Sequence, residues 1–329
     1  MKKPDPIEQA LDRLSALRSE AAAPGALAQE LRKFLSNKSN LVVAKAAKIA
    51  GELRSEKFIP DLAAAFERLM ANPQKLDKGC AAVTEISGAL YELDYLEPEI
   101  YLRGIHHVQM EGAFGPPVDV ASKLRALSAL GLARTRYPHA LEEVVSLLVD
   151  REPEARIGAV RALASNGGEA GVLLLRLKVL NGDPEPDVMA ECFSGLLAAA
   201  PERSLQFVAG YADAEDEAVA EAAILSLGTS RRPAAFDLLK EKWERSAGGP
   251  LRKTLLLAMA LTRAEAAIKF LVALLGSASV QTAKETITAL ALYRDNERIR
   301  QLIEAAVSRR GEKQLIEAFR RELAVSERE

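Results

Sequence analysis

Aromatic residues are scarce in this chain of 329 residues, at 5% with a single tryptophan, although apolar residues reach 49%. A core without large rings has to be assembled from Ala, Leu, Ile and Val on closely spaced elements, and Ala-rich packing suits paired helices. Cysteine is almost missing: only Cys80 and Cys192 occur, which rules out a disulfide framework and fits a reducing compartment. Charge of one sign is missing too. The 44 basic and 46 acidic residues leave a net charge of −2, so no global field draws in a polyanion and nucleic acid is not the expected partner. No apolar run is long enough for a membrane span. The start, MKKPDPIEQALDRL, lacks the apolar stretch of a secretion signal, so a cytoplasmic protein is expected. Period-2 alternation is also absent, and no strand is expected.

What the chain does have is repetition. Small or apolar landmarks close helix-like segments at Gly51, Gly88, Gly131, Ala164, Leu197, Gly228, Ala260 and Ala291, spaced by 37, 43, 33, 33, 31, 32 and 31 residues. Periods in this range mark one helical hairpin per repeat, stacked into a solenoid. Four positions before the landmarks stand Ala47, Thr84, Leu127, Val160, Phe193, Ile224, Leu256 and Ile287. One position before stand Ala50, Ser87, Leu130, Leu163, Leu196, Leu227, Met259 and Leu290. A separation of three places both columns on one helix face, which predicts the core. The first helix of each later hairpin carries a second stripe, with Phe236, Ile268 and Ile299 followed by Leu239, Leu271 and Leu302. Prolines such as Pro153, Pro186, Pro201 and Pro233 fall at the punctuation, where a missing N–H costs little. In such a stack, layers about 10 Å apart hold Cys80 and Cys192 beyond disulfide reach.

Segments such as PEARIGAVRALAS (153–165), DEAVAEAAILSLG (216–228) and KLRALSALGLA (123–133) resemble bacterial HEAT repeats, particularly the short-period type also found in phycobilin lyases. The resemblance covers residues 26–310. It implies an all-α fold, an alpha-alpha superhelix of about eight helical hairpins forming one domain over 1–329, with an N-terminal cap (1–25) and a C-terminal capping helix (311–329). It further implies that the second helix of each hairpin lines a concave face. Proteins with this fold include scaffolds, regulators, DNA repair glycosylases and a few enzymes, so it leaves the activity open.

Several columns are candidate sites. Three positions after the landmarks, Arg54, Arg134, Arg231, Arg263 and Arg294 recur. They read either as cations complementing helix C-termini or as a ridge for an acidic partner or phosphates; Arg231, Arg263 and Arg294 are the best candidates for the ridge. Three positions before the landmarks, on the side away from the core, an otherwise polar column is broken by Leu225 and Leu257, bordered by Glu221, Lys253 and Lys284. Either strong curvature buries these leucines, or they floor a groove for a peptide or helix. The longest repeat holds about ten extra residues, in YLRGIHHVQMEGAFGPPVD (101–119). If residues 99–111 are helical up to a break at Gly112, His107 and Glu111 lie one turn apart. Arg103 on the same stripe argues against a metal, leaving a polar stripe open to a partner. The loop that follows presents Phe114, either to a partner or folded back over the gap. Segment 91–120 carries six acids against Arg103, which suits a basic partner. Trp243 shares a column with Phe66 and Leu275 and is expected in the core.

No nucleophile stands with a base, no cofactor motif or phosphate loop is in register, and HEAT-type hydroxylases use His-Glu dipeptides that this chain lacks. The leading expectation is a non-enzymatic protein-interaction scaffold. Two other classes stay open: a nucleic-acid binder resembling HEAT-like alkylpurine glycosylases, and a tetrapyrrole lyase or chaperone. Near-neutral charge and few aromatics weigh against the first, and only the short repeats support the second.

Overall fold

The computed structural model describes residues 5–19, 24–112, 115–246 and 249–323. The chain divides into two compact units, Met1–Leu175 and Arg176–Glu329. Among the described residues there are twenty α-helices and a single two-stranded ribbon. The first unit contains α1 (Pro6–Ser19), α2 (Pro24–Leu35), α3 (Asn40–Glu52), α4 (Ile59–Met70), α5 (Pro73–Leu76), α6 (Ala81–Glu92), α7 (Pro98–Ile105), α8 (Ser122–Arg134), α9 (Ala140–Ser146) and α10 (Pro153–Asn166). After α11 (Gly168–Asn181), the second contains α12 (Pro186–Ala199), α13 (Pro201–Gly210), α14 (Glu217–Thr229), α15 (Pro233–Arg245), α16 (Arg252–Leu261), α17 (Glu265–Ser277), α18 (Val280–Leu290), α19 (Glu297–Arg310) and α20 (Lys313–Leu323).

Each unit is built as stacked hairpins, the arrangement of the α-α solenoid class. In the first, α3, α6, α8 and α10 pack in sequence order, with α4, α7 and α9 as flanking partners. In the second, α12, α14, α16, α18 and α20 form the continuous row, flanked by α13, α15, α17 and α19. Proline opens α7, α10, α12, α13 and α15, where its fixed φ suits a first turn and its missing N–H would have had no partner. The predicted core columns are buried in seven of the eight repeats: Ala47, Val160, Phe193, Ile224, Leu256 and Ile287 are each fully enclosed, and Thr84 nearly so. Small landmarks set the spacing. A Cβ added to Gly228 would lie 2.5 Å from the Ala258 carbonyl oxygen, so α14 and α16 approach as closely as their backbones allow.

The remaining repeat, the third, departs from the expected phase. In α8 the buried residues are Leu124, Arg125, Ala126, Ser128, Ala129, Gly131 and Leu132, while Leu127 and Leu130 are only half-buried. Comparison with α10, where Arg156, Ala159 and Leu163 are buried, shifts the landmark from Gly131 to Ala133. Apolar residues surround α8, so its own sequence does not choose which side faces inward. The neighbours choose, through Arg125.

Arg125 is 3% exposed and holds the long repeat together. Its Nε and Nη2 pair with both oxygens of Asp150 at 2.9 and 3.0 Å. Its Nη1 meets Asp119 Oδ2 at 2.7 Å and donates to the His107 carbonyl at 2.9 Å. Arg156 repeats the theme one repeat later, donating from Nη1 to the Asp150 carbonyl at 2.8 Å. Both pairs follow the spacing Asp-x5-Arg (119/125 and 150/156) and lie 31 residues apart. That signal was present in the sequence and confirms the shifted register.

Around the insertion, residues 106–112 and 115–121 form a strap instead of a helix. Helix α7 ends at Ile105, and β1 (Met110–Glu111) pairs antiparallel with β2 (Val118–Asp119). The helix expected over 99–111 thus stops at Ile105, no helix reaches Gly112 to break there, and two short strands stand where none was expected. Gln109 is fully buried and donates from Nε2 to the Asp77 carbonyl at 3.0 Å, which leaves no room for continued helix. Asp77, also fully buried, accepts from Ala82 N, Val83 N and Asn40 Nδ2 at 2.8–2.9 Å. Its carboxylate thereby satisfies the open amides at the start of α6.

Candidate functional site

Within the second unit, a groove of about 580 Å³ opens along the continuous row of helices. Glu221 comes from α14; Lys253, Thr254 and Leu257 from α16; Gln281, Lys284, Glu285, Thr288 and Ala289 from α18; and Arg321 from α20. Leu257 is 39% exposed at its floor. These helices place residues three before each landmark outward because residues four and one before it are buried, so the face follows directly from the repeat phase. Leu225 behaves differently from Leu257. It is half-buried and is not among the residues lining the groove.

The polar residues of the groove fall into two groups. Glu221 accepts from Thr254 Oγ1 at 3.0 Å. Glu285 takes Arg252 Nη2 at 3.3 Å and Gln281 Nε2 at 2.8 Å. Both acids are thus engaged within the protein. The ammonium groups of Lys253 and Lys284 make no hydrogen bond or ion pair among the described residues. The groove therefore presents an apolar floor with two uncommitted cations. Arg321 pairs with its neighbour Glu322 at 2.9 Å, so the expected capping helix also supplies a side chain to the groove.

The arginine column is divided by the structure. Arg54, Arg231 and Arg263 adopt left-handed backbone, with φ of 49°, 53° and 56°, each amide donating to the carbonyl three residues earlier. Arginine in this conformation costs roughly 1 kcal/mol relative to glycine. Arg231, Arg263 and Arg294 are exposed, and their guanidinium groups make no hydrogen bond to the helix carbonyls among the described residues. Arg134 leaves the column: with the landmark at Ala133 it is out of register, and it pairs with Asp94 and sits over the Tyr91 ring at 4.7 Å.

The remaining candidates are occupied by internal contacts. His107 Nε2 lies 3.0 Å from Gln109 Oε1. Glu111 accepts from the Gly79 amide at 2.9 and 3.1 Å. Arg103 pairs instead with Glu67, so Arg103, His107 and Glu111 do not form one stripe. His106 and His139 meet Glu143 and Glu142 at 2.9 and 3.1 Å. No cluster of three or more metal-ligating side chains occurs among the described residues. Phe114 lies outside the described residues. Trp243 is half-buried, with the Arg252 guanidinium 5.4 Å from its ring, whereas Phe66 and Leu275 of its column are fully buried.

Both thiols are buried. Burial, reinforced for Cys80 by Asp77, Glu111 and Asp119, pushes each up to about 12, so neither forms a thiolate near neutral pH. No described helix is long and apolar enough to cross a membrane.

No family model and no curated protein matches the chain. Among solved structures, the crystal structure of an engineered protein is similar over 98% of this chain and 96% of that one, at 17% identity and a TM-score of 0.36.

Proposed function

We propose that this chain is a cytoplasmic, non-enzymatic interaction scaffold of the HEAT type, which takes a peptide or helix of another protein in the groove floored by Leu257. The observation that carries the reading is the pairing of an exposed leucine with uncommitted Lys253 and Lys284 in a groove of about 580 Å³. A helix inserting apolar side chains over Leu257 removes that surface from water, at roughly 25 cal/mol per Å² of apolar area, and its carboxylates meet the two lysines. The 31-residue step supports the HEAT assignment. The exposed edge of Arg231, Arg263 and Arg294 extends the same preference for acidic groups.

The test compares affinity capture from source lysate by the native chain and by Leu257→Glu, with circular dichroism confirming equal helix content. A captured protein that is lost from the folded variant supports the reading. Capture of the same proteins by both chains refutes it and removes the groove from consideration.

A further inference from the structure

A second furrow of about 580 Å³ lies between α17 and α19, on the flanking helices. Its floor is formed by Ile268, Val272 and Ala273 on one side and Leu302, Ala305 and Ala306 on the other. Leu302, expected in the core stripe with Ile299, is 47% exposed, while Ile299 is 8%. Small side chains keep the furrow open: a Cβ added to Gly276 would meet nothing within 4 Å.

Every charged residue lining the furrow is basic: Lys269, Arg298, Arg309 and Arg310. Lys269 is held by Glu265 at 2.9 Å, and Arg310 by Glu312 at 2.9 Å and the Leu275 carbonyl at 2.8 Å. The guanidinium groups of Arg298 and Arg309 make no hydrogen bond or ion pair among the described residues, though after Lys269 the Arg298 charge also acts on Glu265. Arg309 stands in the last turn of α19, where a cation suits the helix dipole. Arg298 stands in the first turn, where the dipole disfavours it, so helix stability does not account for the pair.

Spacing supplies the rest. Arg298, Leu302, Ala305 and Arg309 fall at i, i+4, i+7 and i+11 on α19, one continuous stripe with an apolar centre and a cation at each end. Eleven residues span about 16 Å of helix. Small floor residues let a third helix approach to the usual packing distance of about 8–10 Å.

We propose that this furrow binds an acidic amphipathic helix of another protein, with an apolar centre bracketed by two carboxylates about three turns apart. Charge complementarity names the occupant: the floor takes the apolar face, and the free guanidinium groups take one carboxylate each. The inference is independent of the Leu257 groove.

The test uses the full chain and a fluorescein-labelled synthetic helix of pattern Glu-x3-Leu-x2-Leu-x3-Glu in an Ala/Gln host, read by anisotropy. A second peptide replaces both glutamates with lysine. The native chain is expected to bind the glutamate peptide at least tenfold more tightly, with affinity falling as salt rises. The Arg298→Glu, Arg309→Glu variant is expected to reverse this preference, a result that an unfolded chain does not give. Ala305→Trp, which fills the floor and keeps the rim, is expected to weaken the glutamate peptide at least tenfold. Equal binding of the two peptides, no binding of either, or an unreversed preference overturns the proposal. So does tighter binding to phosphatidylserine vesicles than to the peptide, abolished by the same double variant, which assigns the furrow to a lipid surface.

Discussion

Replacing Arg125 with Ala should destabilise the first unit by about 3 kcal/mol at pH 7. Deleting one partner of a buried ion pair costs roughly 3–5 kcal/mol, because the surviving charge is stranded. Here the loss falls at the low end. Asp119 keeps the Ala121 and Gln109 amides at 3.0 and 3.2 Å, and Asp150 keeps the Glu152 amide at 2.9 Å. The effect depends on pH in a defined direction. Burial alone raises the Asp119 pKa, but in the intact protein those two amides and the Arg125 guanidinium outweigh it and hold the pKa below the usual carboxylate range. A depressed folded pKa contributes stability above the unfolded value near 4, and that contribution is lost as pH falls through the folded pKa. Without Arg125 the effect of burial on Asp119 gains weight, so protonation relieves the variant as acid is added while the native chain loses part of its advantage. Urea unfolding followed by circular dichroism at pH 7 and pH 4 reads the difference, with hydrogen exchange over residues 106–125 assigning the transition. A loss under about 0.5 kcal/mol at pH 7, or a loss that does not shrink at pH 4, refutes the account of the long repeat as held by this guanidinium.

Other consequences are open to measurement. Gly228→Val should cost at least about 2 kcal/mol of stability of the second unit, because its Cβ would stand 2.5 Å from the Ala258 carbonyl oxygen; an unchanged urea midpoint would show that the row spreads freely. Asp77→Ala should cost about 2 kcal/mol by removing the acceptors of two amides and of the Asn40 side chain, with Asp77→Asn losing less because its one oxygen still serves Ala82 N and Asn40; an unchanged urea midpoint for Asp77→Ala would refute the role given to this carboxylate. Iodoacetamide at pH 8 should label Cys80 and Cys192 only on unfolding, since both thiols sit near 12; rapid labelling of native protein would contradict their burial.

The repeat was legible in the sequence because a helix has a fixed period. Wherever apolar residues occupy one face, as around Ile224 and Leu227 or Leu256 and Met259, the spacing of three and four settles what is buried. It also points Leu257 away from the core, and the groove found there includes the expected border of Glu221, Lys253 and Lys284.

Three features required the tertiary structure, each for a physical reason. The phase of α8 is set by Arg125 reaching Asp119 and Asp150, since α8 is apolar on more than one side. The strap over 106–112 and 115–121 is set by Gln109 and Glu111 bonding to the Asp77–Gly79 turn some thirty residues away, a contact that no local pattern encodes. Leu302, which shares a column with buried Leu271, is exposed because it lines the open furrow between α17 and α19. By itself, then, the sequence determined the helices, their pairing and the core columns, because a periodic local interaction decides them. The free cations and the two furrows arise only where helices meet, because charge pairing and packing volume belong to neighbours in space.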